Sequence, residues 1–107
     1  RAEIVESIAT LEKELGRPCR HFSFPYGDPG AAGEREFRLA SEAGVATAVT
    51  TRKGLIHARH QNRLTALPRV SLNGDYQDTR FVKVFMSGAP LALRVASELL
   101  FGATAAA

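Results

Sequence analysis

Glycine and proline cut this chain into short regular segments, with breaks at Gly16 and Pro18, from Pro25 to Gly30, at Gly44, and at Gly88 and Pro90. Both residues end helices and strands through backbone geometry, so the fold has to be assembled from brief elements and tight connections. Ile4, Val5, Ile8, Leu11 and Leu15 recur at helical spacing, opposite Glu3, Glu6, Glu12, Lys13 and Glu14. That pattern predicts an amphipathic helix over Ala2–Leu15. Arg20 to Tyr26 alternates polar and aromatic side chains, as a strand does, until Pro25 breaks it. A turn-rich loop is expected through Gly27, Asp28, Pro29 and Gly30.

The alternation continues downstream. Phe37, Leu39, Ala40 and Ala43 fit a helix over Gly33–Ala43, stopped at Gly44. Val45–Thr51, rich in valine, alanine and threonine, reads as a strand buried on both faces under helices. Residues Arg52–Ala66 show no period and carry four arginines or lysines with His57 and His60, which suits a long basic loop. Leu67–Leu72 is a further strand candidate around Pro68 and Arg69. Asp78 or Thr79 is placed to cap a helix running to Met86, and a last helix is expected over Leu91–Phe101, before a frayed alanine-rich tail over 102–107. Helix, strand, helix, strand with short connections is the order of an α/β architecture.

Composition narrows the function. One modest core is what 107 residues with 45% hydrophobic content supply, so a single domain is expected. The net charge of +3 is mild, with acids concentrated before position 43 and arginines after Arg52. It favours an anionic or hydroxyl-rich partner. No aromatic-interleaved basic motif is present, which argues against nucleic acid. The most apolar segment, Leu91–Phe101, is too short for a membrane span and is interrupted by Arg94 and Glu98. Cys19 is the only cysteine, which removes intrachain disulfides and cysteine-based zinc sites and leaves the compartment open. The chain opens at Arg1 and enters a helical pattern at once, as the interior of a longer protein would.

Phe24-Pro25-Tyr26-Gly27-Asp28, placed after a strand, resembles the Pro-Tyr-Gly motif of the polysaccharide deacetylases, carbohydrate esterase family four. The flanking segments agree: Leu11-Glu12-Lys13-Glu14-Leu15-Gly16-Arg17-Pro18 before it, then Glu42-Ala43-Gly44-Val45, Ala48-Val49-Thr50-Thr51 and Leu67-Pro68-Arg69. The resemblance covers nearly all of residues 1–107. It implies that they are the C-terminal half of such a domain, part of a distorted (β/α) barrel. It further implies a metal-dependent hydrolase, with a zinc-type divalent cation in the intact parent, that removes acetyl groups from N-acetylated polysaccharides or oligosaccharides. The family's metal and base residues lie in a Thr-Phe-Asp-Asp-type segment and a His-x-x-x-His segment. Both precede the helix with which this chain begins, and neither occurs here, so no metal is expected to be held by these residues.

In the family the tyrosine of Pro-Tyr gives its backbone N–H to the oxyanion hole, which the resemblance carries to Tyr26. Pro25 would shape the groove wall and Gly27 would allow a tight backbone path. The plainer reading is a strand-ending turn with the tyrosine ring packed on the sheet. Where many members have an arginine two residues before the proline, this chain has Ser23. Arg69 is a candidate for that orienting role, holding a carboxylate or a sugar oxygen, against a surface salt bridge. It cannot serve as a general acid, because a guanidinium does not release its proton. Thr51, with Thr50, ends a strand where barrel sites are built and either contacts ligand or caps the strand. His57 and His60 form a His-x-x-His pair whose segment lacks helical period and a carboxylate neighbour, so solvated loop histidines compete with a metal pair. His21 is expected to pack or hydrogen-bond, and Cys19 to be a small buried residue.

Two functions follow. The first is a deacetylase part that is inactive by itself, in a parent whose compartment the sequence leaves open, a periplasmic or extracellular setting being compatible with it; the second is a non-catalytic carbohydrate-binding or assembly module on the same fold. The missing half-domain is an expected partner, and so is a second copy of the chain. The 107-residue chain is expected to release no acetate from N-acetylated oligosaccharides, with or without added zinc. Metal-dependent release would overturn this and direct the search for ligands to His57, His60 and Asp28.

Overall fold

The structure, a computed structural model, describes residues 2–102; most of the expected tail, 103–107, lies outside the described residues. Helix α1 spans Ala2–Leu15, as its periodicity predicts, and turns at Gly16, whose φ is 64° and whose N–H bonds to the Glu12 carbonyl at 2.9 Å. Strand β1 is His21–Ser23, α2 is Glu34–Glu42, and β2 is Thr47–Val49. The strands pair in parallel, with His21 opposite Thr47, Phe22 opposite Ala48, and Ser23 opposite Val49. The βαβ order therefore places α2 as the crossover between adjacent strands.

The core gathers where α2 and the loop before it cover this sheet. Phe24, Ala32, Phe37, Ala40, Val45 and Ala48 are buried together, and Ile8, Phe22 and Ala66 pack against them. Phe24 is the hinge of the cluster: its ring stands edge-on to Phe22 at 5.2 Å and to Phe37 at 5.4 Å. Helix α2 is held at its start by Glu36, whose carboxylate accepts from the Gly33 N–H at 3.0 Å. That bond, first among the causes, keeps the Glu36 carboxyl below its ordinary value of 4.5.

Several elements are shorter than expected. The strand over Arg20–Tyr26 is only His21–Ser23, because Pro25 and a left-handed backbone at Tyr26 turn the chain off the sheet. Val45–Thr51 contracts to Thr47–Val49, and only Ala48 within it is buried, its neighbours being half-buried. The strand expected at Leu67–Leu72 is reduced to a single parallel bridge between Leu67 and Val49. The next N–H that faces β2 in this ladder is that of Arg69, and it donates to the Arg52 carbonyl at 3.0 Å, past the strand end. The basic loop contains two short 3-10 turns, Ala58–Asn62 and Leu64–Ala66. Two paired strands and one bridge do not close a barrel, and a segment of this length could not do so by itself.

Beyond Leu72 the chain forms a separate layer. Helix α3, Thr79–Met86, starts at Asp78, whose Oδ1 accepts the Arg80 N–H at 2.8 Å. The Arg80 guanidinium, the largest influence, and this N–H both hold the Asp78 carboxyl below its ordinary value. Gly88, at φ 77°, ends the turn, and α4 runs Ala89–Phe101. Pro90 thus lies inside the first turn of α4 rather than before it, where its missing N–H costs nothing. The two helices meet at a 52° bend, and no single described helix is long and apolar enough to cross a membrane.

The radius of gyration is 16.4 Å and the extents are 49 × 31 × 26 Å, against about 13 Å for a compact domain of ~100 residues. The excess reflects apolar side chains that find no cover: Leu93, Leu99 and Phe101 on α4 are 72–80% exposed, and none of α1, α3 or α4 buries a residue fully. Such surface drives association. Sedimentation at micromolar concentration is expected to show a self-associating chain, and the Leu93→Ser/Leu99→Ser double variant to shift it toward monomer. A wild-type monomer with cooperative unfolding would contradict this.

Candidate functional site at the carboxyl edge of the parallel strands

Parallel strands deliver their carboxyl ends to one edge, where α/β proteins place ligands. Here Ser23 pairs with Val49 and Val49 bridges Leu67, and past those pairs backbone bonds bring Thr51 to Gly27 and Arg69 to Arg52 along that edge. The edge is built by backbone bonds. The Phe24 N–H donates to the Val49 carbonyl at 3.2 Å, the Thr50 N–H to Leu67 at 2.8 Å, and the Leu67 N–H to Ala48 at 3.0 Å. Thr50 is buried, and its hydroxyl donates to the Leu67 carbonyl at 3.1 Å while accepting from the Arg52 N–H at 3.2 Å.

Tyr26 has φ 61° and is the one non-glycine residue with positive φ among those described. The Gly27 N–H reaches back to the Pro25 carbonyl at 2.7 Å, closing a γ-turn centred on Tyr26. This backbone is strained for a side chain with a Cβ and costs about 1–3 kcal/mol, so its neighbours must over-determine it. They do. The Thr51 hydroxyl donates to the Tyr26 carbonyl at 2.8 Å, and the Thr51 N–H donates to the Gly27 carbonyl at 2.9 Å. Gly27 is buried at φ 65°, and a Cβ on it would stand 2.8 Å from the Thr51 nitrogen. The Tyr26 N–H makes no hydrogen bond among the described residues.

The tyrosine ring is 85% exposed, so the reading in which it packs on the sheet does not hold. Thr51 spends its hydroxyl proton on Tyr26, which makes it a positioning residue for the turn. Asp28 fixes the next stretch of loop, its Oδ1 accepting from the Gly30 and Ala31 N–H groups at 2.8 and 2.9 Å. Pro25, Tyr26, Gly27 and Thr51 are therefore brought together. Arg69 is not brought to them: its backbone N–H donates to the Arg52 carbonyl. Its side chain is exposed, makes no ion pair among the described residues, and borders an apolar hollow of about 450 Å³ under α3 with Leu55, Val82 and Met86.

The arginine drawn into the fold is Arg52. Its Nη2 donates to the Ala32 carbonyl at 2.7 Å, and its guanidinium carbon lies 5.1 Å from the centre of the Phe37 ring. Arg52 ties the loop after β2 to the loop before α2. Sequence reasoning left it in a basic loop, because its partners stand far upstream and carry no charge.

The histidines are occupied locally. The His21 Nδ1 lies 2.8 Å from the Thr47 hydroxyl across the strand pair, and the His60 Nδ1 accepts the His57 N–H at 2.9 Å. His57 and His60 stack with ring centres 6.0 Å apart. Cys19 is half-buried rather than buried, and its N–H donates to Glu12 Oε1 at 2.8 Å. No three His, Cys, Asp or Glu side chains come together as a metal site among the described residues, so those residues do not fit the cation that the family resemblance implies.

No family model, curated protein or solved structure matches this chain. The edge geometry itself makes a prediction. Gly27→Ala adds a Cβ to a positive-φ residue against backbone that cannot retreat, and is expected to destabilise the chain by about 2–4 kcal/mol. A thermal melt checks it, and an unchanged midpoint would mean that Gly27 and Thr51 are not in contact.

Proposed function

We propose that this chain is the C-terminal part of a polysaccharide deacetylase domain and supplies the oxyanion donor and one groove wall of a site that hydrolyses N-acetyl groups on a sugar polymer. The observation that supports this best is the Tyr26 N–H, without a hydrogen-bond partner among the described residues and carried on a strained and doubly tethered turn at the carboxyl edge of parallel strands.

Amide hydrolysis passes through a tetrahedral intermediate whose former carbonyl oxygen carries negative charge. A donor fixed beforehand lowers that barrier because nothing has to reorganise when the charge develops. The Thr51 and Gly27 contacts supply such fixity to Tyr26. Pro25 bounds the approach, and Gly27 lets the loop lie directly on the strand end. On this reading the activating cation and the general base come from residues other than those described, and no step is assigned to them here.

The test is carried out on the intact protein, with N-acetylated oligosaccharides as substrate. Proline is unusable at position 26, because its ring holds φ near −65° where the turn needs 61°. Replacing the Tyr26 amide by an ester removes the N–H and keeps the turn, and should lower kcat by about a hundredfold or more. Tyr26→Phe should leave kcat nearly unchanged. If phenylalanine costs as much as the ester, the phenol takes part and the assignment fails. If the intact protein binds the sugar without releasing acetate, the non-catalytic carbohydrate module is the correct reading.

A further inference from the structure

Beside this edge lies a concavity of about 340 Å³ lined by Arg52, Arg59, His60, Arg63, Ala66 and Pro68. Three of those six residues are permanent cations and none is a carboxylate. Arg63 is paired outside the hollow with Glu34, and Arg59 makes no ion pair among the described residues. Arg52 spends Nη2 on the Ala32 carbonyl and keeps Nε sealed from solvent, while its Nη1 makes no hydrogen bond among the described residues. His60 also lines the hollow, its Nδ1 2.9 Å from the His57 nitrogen.

We infer that this hollow binds a tetrahedral oxyanion of the phosphate or sulfate class. Guanidinium forks match such groups, and donors set at residues 52, 59 and 63 offer more bonds than a single planar carboxylate can accept. Ala66 and Pro68 form an apolar floor that strengthens charged hydrogen bonds at short range. His60 is the one aromatic ring lining the hollow and it already stacks on His57, so no row of free platforms is offered to successive bases, and one compact anionic group is favoured over a nucleic-acid strand. The volume accommodates the anion together with a sugar ring that bears it as an ester. The inference does not depend on the deacetylase reading, since it rests on residues outside the Tyr26 turn.

The 107-residue chain is titrated by calorimetry with inorganic phosphate, acetate and a hexose phosphate at matched low ionic strength, where screening is weak. Phosphate should bind saturably and acetate should not. Arg59→Gln should weaken phosphate binding about tenfold, while Arg80→Gln, a charge of α3 outside the hollow, should leave it unchanged. Arg52→Gln should weaken it likewise; because Arg52 also braces the fold, Arg59→Gln carries the test if that variant fails to fold. Tighter binding of the hexose phosphate than of phosphate identifies an ester on a sugar as the source, and weaker binding identifies the free ion. The inference is overturned by unsaturable phosphate binding, by acetate binding as tightly as phosphate, by equal losses in Arg59→Gln and Arg80→Gln, or by a single-stranded oligonucleotide outcompeting the hexose phosphate.

Discussion

The junction between Thr51 and the Tyr26-Gly27 turn is the constraint on which the rest of the edge depends. Two bonds from one residue, its N–H to Gly27 and its hydroxyl to Tyr26, stitch the loop after β1 to the end of β2. Each is an ordinary hydrogen bond, worth about 1 kcal/mol net. Together with close contact at Gly27 they hold a backbone conformation that Tyr26 would not adopt alone. The loop that follows is then fixed by Asp28, the Ala32 carbonyl comes within reach of Arg52, and Phe37 closes the core beneath.

How much of this was legible in the sequence depends on how local its cause is. Helix α1 is observed over Ala2–Leu15 because an apolar stripe and a glycine stop are short-range signals. Asp78 as the cap of α3 is likewise written in adjacent residues. Leu67–Leu72 looked like a strand by composition, but pairing requires donors in register, and the next one, the Arg69 N–H, goes to Arg52 beyond the end of β2. The left-handed backbone at Tyr26 was not legible, since nothing about a tyrosine announces positive φ; only Gly27 and the turn residues beyond it hinted at a tight path. Arg52 was invisible for the opposite reason. Its chemistry is obvious, but its partners are a backbone carbonyl and a ring brought near only by the crossover helix.

The outer helices tell a related story. Periodicity correctly marks one apolar face on α1 and α4, yet it says nothing about what covers that face. In this chain Ile8 of α1 packs on the core cluster, while α4 makes its main helix contact with α3 and leaves Leu93, Leu99 and Phe101 in solvent. The buried core is small and consists of side chains from β1, α2, β2 and their connections. Stability is therefore concentrated around Phe24 and Phe37, next to the candidate site, and the edge geometry inherits whatever rigidity that cluster provides.

Amide hydrogen exchange, resolved residue by residue, tests the central claim most directly. If the Tyr26 N–H is a free donor held on a rigid turn, it should exchange at close to the unprotected rate while the Thr50 and Thr51 amides, bonded to Leu67 and Gly27, are strongly protected. Fast exchange at all three would mean that the strand end does not grip the loop. Protection of the Tyr26 amide itself would mean that the donor is already taken, and the oxyanion assignment would have no atom to rest on.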